Sequence, residues 1–404
     1  MHEIDDRELS IDVPGGEVAA VACSVLMPVL NEEHHIEASV AAMTRQGFAG
    51  HLEFLVVDGG SSDRTLEIVR ELARRDPRIR LLANPRRITS SGLNVALGHA
   101  RGRWVARMDA HAEYPEDYLR RGVERLAQGG TRWVSGLALA RGRGPVSRAV
   151  ALALQSPLGR GGSRKWVAEQ GPGQEYELDS GVFAGVWERQ TLLDYGGWDE
   201  AWIRNQDSEM AGRFLERRER LILLPAMAAE YVPRDALRPL ARQYFQYGEF
   251  RTKTARRHPH TMRRSHLLAP AVVTAAATAL VGPRWLRGLA RLGVGVYSSA
   301  LLAAGVQARA GGQQLTDAML VPPVLAAMHL GHGAGAFVGA ARHGPPVAAI
   351  AGVLGLRRLA ERLAPDPVGV FAPSLREVLP DVAGDAGALG TAGAPGTAGA
   401  SRGT

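Results

Sequence analysis

An α/β fold built on a mostly parallel sheet is what the sequence predicts, on three observations. Apolar runs alternate with helical patterns through the first half of the 404-residue chain. Each helical pattern separates two apolar runs, the order that a parallel, doubly wound sheet requires. Polar stretches carrying Gly and Asp fall where those runs end, the side on which such sheets bind ligands.

The elements follow in order. "VACSVLMPVL" reads as a buried strand, and "EEHHIEASVAAMTRQG" as a helix stopped by Gly47. "LEFLVVDGG" is the next strand, "DRTLEIVRELARR" a helix, "IRLLAN" a strand and "SSGLNVALGHA" a helix. "RWVARMDA" is a fourth strand, followed by "PEDYLRRGVERLAQGG", a helix with Pro115 at its start and Gly129 at its end. The middle is less regular. "SPLGRGGSRKW" and "EQGPGQEYELDSG" are Gly-rich loops around weak strands, "WERQTLLDYGGWDEAW" a helix and a loop, and "NQDSEMAGRFLERRE" a loop opening a helix. "RLILLPAMAAEYVP" reads as a strand pair or one bent strand.

From Arg238 a basic, aromatic helix begins, "RPLARQYFQYGEFRTKTARRHP". Its Arg and Lys suit anionic headgroups, with Tyr244, Phe245, Tyr247 and Phe250 entering a membrane interface; a solvated basic face packed on the domain is the alternative. Three stretches then carry no formally charged side chain: "LLAPAVVTAAATALVG", "LGVGVYSSALLAAGV" and "AMLVPPVLAAMHLGHGAGAFVGAA". The third can span a bilayer, and the first two are short against the roughly 20 residues a helix needs. A buried helical subdomain would also explain them. The Arg-rich segment before the block, Arg251 to Arg264, favours membrane helices entered from the cytoplasmic side. Arg284, Arg287 and Arg291 then fall in the first connection, where they fit that rule badly if it faces outside. The expected organisation is an N-terminal extension over 1–20, a main α/β domain over 21–237, a basic amphipathic interface helix over 238–265, hydrophobic membrane helices over 266–362 and a low-complexity, disordered tail over 363–404.

Composition narrows the partners. A net charge of +7 suits an acidic partner. Aromatic residues are only 6% of the chain, so no nucleic-acid platform is expected. The one cysteine, Cys23, excludes an internal disulfide and reads as a buried core thiol. "MHEIDDRELSIDV" has no apolar core of a signal peptide, so the main domain is expected in the cytosol.

Four short stretches carry candidate chemistry. In a strand, residues i and i+2 share a face, so Asp109 and His111 of "RMDAH" can reach one point at the strand's mouth. Carboxylate plus imidazole suits a divalent cation, Mn²⁺ or Mg²⁺, completed by diphosphate oxygens and water. The plainer alternative is a strand end and a loop residue. "PVLNEE" closes the first strand, with Pro28 ending the ladder and Asn31 capping the next helix; a simple strand-to-helix turn explains it equally well. In "VVDGGSSDRT", Asp58 could accept a hydrogen bond from a base N–H while two glycines let a ligand approach; an ordinary glycine turn is the alternative. In "NQDSE", Asp207 and Glu209 stand near a helix N-terminus, where the dipole alone favours carboxylates; the functional reading is a general base taking a hydroxyl proton.

Taken together, P-x-x-N-E, then VVDGGS-x-D, then D-x-H, then Q-D-x-E, the chain resembles family 2 glycosyltransferases of the GT-A fold. It is particularly similar to the succinoglycan-type exopolysaccharide enzymes in "RMDAHAEYP", "QSPLGRGGSRKW", "WIRNQDSEM", "LARQYFQYGEFRTKTARRHP" and "VLAAMHLGHGAGAF". The likeness covers roughly residues 22 to 340. It implies a GT-A catalytic domain over 21–237, with Asp58 contacting the nucleotide base and Pro28 and Glu32 lining that pocket. It implies that Asp109 and His111 hold Mn²⁺ or Mg²⁺ at the family's D-x-D position, and that Asp207 is the catalytic base. The implied activity is inverting transfer from a nucleotide-diphosphate sugar, a UDP-sugar, to a lipid-linked acceptor in exopolysaccharide biosynthesis, at the cytoplasmic face of the inner or plasma membrane. Polymerising relatives carry Q-x-x-R-W. The matching stretch here, "QYGEF", lacks Arg and Trp, so single-sugar transfer is expected. Two other classes remain: a catalytically silent nucleotide-binding membrane scaffold, and a nucleotide-cofactor oxidoreductase, which the missing G-x-G-x-x-G disfavours.

Overall fold

The computed structural model describes residues 21–166, 173–179 and 184–365. The expected N-terminal extension and the tail beyond residue 365 lie outside them. The first half alternates as the patterning requires: β1 (Val21–Val29), α1 (Ile36–Thr44), β2 (His51–Asp58), α2 (Thr65–Arg75), β3 (Ile79–Ala83), α3 (Thr89–His99), β4 (Trp104–Arg107), β5 (Ala112–Glu113), α4 (Tyr118–Ala127) and β6 (Trp133–Ala140). Then come α5 (Pro145–Gln155), α6 (Pro157–Arg160), β7 (Tyr176–Leu178), β8 (Gly185–Glu188), α7 (Arg189–Asp194), α8 (Gln206–Glu216) and β9 (Leu221–Tyr231). The helical part is α9 (Leu237–Arg257), α10 (Leu268–Val281), α11 (Arg284–Ala310), α12 (Leu315–His343), α13 (Val347–Val353) and α14 (Arg357–Leu363).

One sheet runs β3-β2-β1-β4-β8-β6-β9-β5, with β7 also on β9. Its first four strands are parallel, as is the β6–β9 pair. The sheet is mixed rather than wholly parallel, because β8 runs antiparallel between β4 and β6. "RLILLPAMAAEYVP" forms one long strand, β9.

Strand alternation separates two cores. Val25, Met27, Phe54 and Val56 face α1, α2 and α4, whereas Leu26, Leu55 and Val57 face α3, α7 and α8. A third core joins α5 and Leu240 of α9 to Leu301 of α11 and to Val321, Val324, Leu325 and Met328 of α12.

Three segments, Arg264–Val281, Arg284–Ala310 and Leu315–His343, are helices long and apolar enough to cross a membrane. Arg284, Arg287 and Arg291 lie inside α11, not in a connection, so that helix reaches 27 residues by absorbing the basic stretch.

The basic helix α9 packs along α12. Phe250 is buried, Tyr244 packs beside the third core, and Tyr244 and Tyr247 line an internal cleft. The cause is glycine spacing in α12. A Cβ on Gly331, Gly335 or Gly339 would meet the backbone of Ala241, Phe245 or Glu249 in turn. Both series repeat every four residues, so two helix backbones lie against each other along one stripe. Arg342 closes the contact with Glu249 at 2.8 Å. Gly335→Val would drive a branched side chain into the Phe245 carbonyl. We expect a loss of about 1–3 kcal/mol, read as a lower melting temperature in detergent, with Gly335→Ala milder in the same direction.

Candidate active site

A cleft of about 2000 Å³ opens where β1 and β4 end, between the sheet and the wall made by α9, α10 and α12. Glu32, Asp109, His111 and Asp207 all line it. Pro28 and Asp58 do not.

The floor is organised by a residue the sequence reading passed over. Arg107 is the last residue of β4 and is buried. Its Nε and Nη2 donate to the two carboxylate oxygens of Asp109, at 2.8 and 3.1 Å. Its Nη1 donates to Asp207 Oδ1 at 2.6 Å. One guanidinium fork therefore ties the end of β4 to the start of α8, a hundred residues later in sequence. The available signal was an arginine inside the otherwise apolar run "WVARMDA", since a buried charge needs partners. Burial works against its charge, but Asp109 and Asp207 outweigh that and raise its pKa further above the ordinary value.

Because β4 ends at Arg107, Asp109 and His111 lie in the loop beyond it. The shared strand face invoked from spacing is therefore not what brings them together. Asp109 is held by Arg107, and its backbone N–H donates to the Tyr114 hydroxyl at 2.8 Å. His111 Nδ1 lies 3.3 Å from Glu32 Oε1. Burial pushes the Asp109 carboxyl up, but Arg107 and then His111 bring it below the usual value. The hydrogen bond to Glu32 leads the causes that raise His111, ahead of the opposing burial.

Asp207 occupies the first turn of α8 behind Asn205, which takes a left-handed conformation (φ 59°). That turn is pinned to α9: Arg204 Nε donates to Gln246 Oε1 at 3.1 Å and Asn205 Nδ2 to the Tyr247 carbonyl at 3.2 Å. "QYGEF" thus braces the loop that presents Asp207. Burial outweighs the attraction of Arg107 and raises the Asp207 pKa, with Asp109 adding to the rise. Such a carboxylate is a better proton acceptor than a free aspartate.

Glu209 has a different setting. It is fully buried, 3.0 Å from Arg213 Nη2 and 3.4 Å from His258 Nε2, and does not reach the cleft. His258 also meets Glu216 at 2.6 Å through Nδ1. Gly212 lets this imidazole lie directly on α8, since a Cβ there would collide with the ring. Burial opposes the His258 charge, but hydrogen bonds to Glu209 and Glu216 outweigh it and raise its pKa. A raised folded-state pKa contributes stability fully present below about 6.5 and lost as pH rises through the folded value. The melting temperature should fall on raising the pH through that range, and His258→Gln should flatten the step.

Asp58 ends β2, and its carboxylate accepts from Gly60 N at 2.9 Å, Ser61 N at 3.0 Å and Ser61 Oγ at 2.6 Å. Its polar capacity goes largely into shaping its own turn. Pro28 sits in β1, opposite Val57. Among the described residues no three His, Cys, Asp or Glu side chains are gathered as a metal set.

The chain is similar to proteins of known kind. The family model described as "Glycosyl transferase family 2" matches residues 24–169. The succinoglycan biosynthesis protein ExoA of Rhizobium meliloti (strain 1021) is 33% identical over 322 residues, which is 79% of this chain and 95% of that protein. The Escherichia coli protein WfgD, a UDP-Glc:alpha-D-GlcNAc-diphosphoundecaprenol beta-1,3-glucosyltransferase, is 41% identical over 88 residues, 22% of this chain and 34% of that one. Among solved structures, the mannosyltransferase PcManGT from Pyrobaculum calidifontis, in complex with GDP-Man and Mn²⁺, aligns with a TM-score of 0.42 at 22% identity, covering 85% of this chain and 91% of the other.

Proposed function

The chain belongs to glycosyltransferase family 2, and from that membership we propose that it moves one sugar from a nucleotide-diphosphate sugar to a lipid-linked acceptor in exopolysaccharide assembly. The observation that carries this reading is the single cleft in which Asp207 and Asp109 share Arg107 while the apolar helices form the opposite wall. A UDP-sugar is the donor we assign, in line with the UDP-Glc donor of the relative WfgD. The same relative acts on a diphosphoundecaprenol-linked sugar, and Leu268 and Ala269 of α10 and Met328 of α12 reach this cleft. The three apolar helices support attachment to the inner or plasma membrane, with the catalytic domain on the cytoplasmic side.

Asp207 acts as general base. It takes the proton from the acceptor hydroxyl as that oxygen attacks the anomeric carbon, so one displacement inverts the configuration. Arg107 fixes the base and stays charged throughout. The donor's base and ribose lie toward the β1 and β2 turns, with Glu32 lining that end; Asp58 and Pro28 act there through the shape of the turn.

Asp109 and His111 are the residues that would hold Mn²⁺ or Mg²⁺. The side chains fit the group: Glu32 on Nδ1 orients the imidazole and leaves Nε2 as the ligating nitrogen, and Asp109 keeps lone pairs beyond the two that Arg107 uses. Diphosphate oxygens and water complete such a shell. A bound cation supplies charge neutralisation for the departing diphosphate.

The test uses the full chain in nanodiscs with a panel of UDP-sugars and a polyprenyl-diphosphate-linked saccharide. Release of UDP that depends on the acceptor is expected. Donor binding with no acceptor-dependent release would identify a silent scaffold instead. Asp109→Ala should abolish the transfer that divalent cation stimulates while remaining folded, because Arg107 keeps Asp207. Full retained transfer in that variant would overturn the metal assignment.

A further inference from the structure

A second charged cluster in the same cleft has no part in the chemistry above. Lys165 sits on a short 3₁₀ turn, Arg164–Trp166, and Arg251 on α9, and both line the cleft. Arg251 Nη2 donates to the hydroxyl of Ser208, the neighbour of Asp207, at 3.1 Å. Its Nη1 is fully enclosed and has no hydrogen-bond partner among the described residues. No carboxylate among them lies within ion-pairing distance of Arg251 or Lys165. Arg263 adds a third cation and is paired with the exposed Asp179.

These cations stand close enough to repel one another. Burial first, then Arg251, pushes the Lys165 ammonium down to about 8, while Asp207 pulls it the other way and Arg263 adds to the fall. Burial and Arg263 push Arg251 down to about 10. Partly buried cations with no carboxylate partner are costly to crowd together, and an anion arriving with the substrate removes the cost. Position decides which anion. Arg251 on α9 and Arg263 just before α10 stand on the cleft wall that Leu268, Ala269 and Met328 also line. The donor-side residues Glu32, Asp109 and His111 belong instead to the loops after β1 and β4.

We infer that Lys165, Arg251 and Arg263 form a subsite for the phosphate or diphosphate group of the acceptor lipid, whose hydrocarbon chain runs along α10 and α12. The inference rests on the lipid-acceptor reading above and gives it an address: the acceptor's anion is gripped one residue from the base. Electrostatic capture of the headgroup then sets the acceptor sugar's hydroxyl against Asp207.

Binding tests this without turnover. The full chain in phosphatidylcholine nanodiscs is titrated with a short-chain prenyl diphosphate, the matching prenyl alcohol, inorganic pyrophosphate and UDP. Lys165→Gln and Arg251→Gln should each weaken prenyl diphosphate by about tenfold or more, while UDP affinity stays within about twofold and the alcohol binds poorly to every form. Arg251→Lys should restore most of the affinity, which a merely structural loss would not. A parallel fall in UDP affinity would assign the cluster to the donor. Pyrophosphate binding as tightly as prenyl diphosphate would make it a free-anion site. Either outcome, or undiminished prenyl diphosphate binding in both Gln variants, overturns the inference. A chain that binds prenyl diphosphate through these residues yet transfers no sugar supports the subsite and overturns the transfer reading alone.

Discussion

Asp207→Asn should lower turnover by about 10²- to 10⁴-fold while leaving donor affinity near that of the parent. The amide keeps the size and one acceptor oxygen for Arg107, so the 2.6 Å contact can persist while the proton-accepting oxygen is lost. The raised pKa of Asp207 sharpens the expectation, because burial has made this carboxylate a stronger base than one in water. Glu209→Gln is the control. Glu209 is locked between Arg213 and His258 behind the cleft, so its replacement should lower the melting temperature far more than it changes the rate per folded molecule. Steady-state rates normalised to folded protein separate the two. Wild-type turnover in Asp207→Asn would move the base elsewhere, and the buried Glu209 would not be its successor.

Arg107→Met should cost both stability and activity. It strands two largely buried carboxylates that had shared one cation, with side chains only 17% and 21% exposed for Asp109 and Asp207. Breaking one side of a buried pair costs about 3–5 kcal/mol; the partial exposure places the expectation at the lower end. The melting temperature should drop and transfer should vanish together. Arg107→Lys restores charge without the planar fork, so it should recover stability more than turnover. Because one guanidinium serves both acids, Asp109→Ala and Asp207→Ala should be non-additive in a double-mutant cycle. Additive effects, or an Arg107→Met variant as stable and active as the parent, would contradict the hub.

Much of this was readable before any coordinates, and for local reasons. The apolar runs "VACSVLMPVL" and "LEFLVVDGG" read as buried strands, and the two cores take alternate residues of each. Asp207 stands in the first turn of a helix, as "NQDSE" implied. What failed was non-local. The strand "RWVARMDA" ends two residues before Asp109, so Asp109 and His111 lie in the loop beyond it and not on one strand face. Arg107 could be noticed as a charge in an apolar run, but its second partner lies a hundred residues away. The reversal of β8 depends on which strands receive it, information absent from four residues of chain. In "GHGAGAFVG" the glycines read as weakly hydrophobic membrane residues. Their purpose appears only once Ala241, Phe245 and Glu249, some ninety residues earlier, lie against them. The same packing buries Phe250 and sets Tyr244 and Tyr247 at the cleft.

A direct displacement with Asp207 as base sets the anomeric configuration of the product. An α-linked UDP-sugar and the lipid-linked acceptor are incubated with the full chain, and the new linkage is read from its anomeric proton coupling. A β-linked product is expected. A retained α linkage would contradict it.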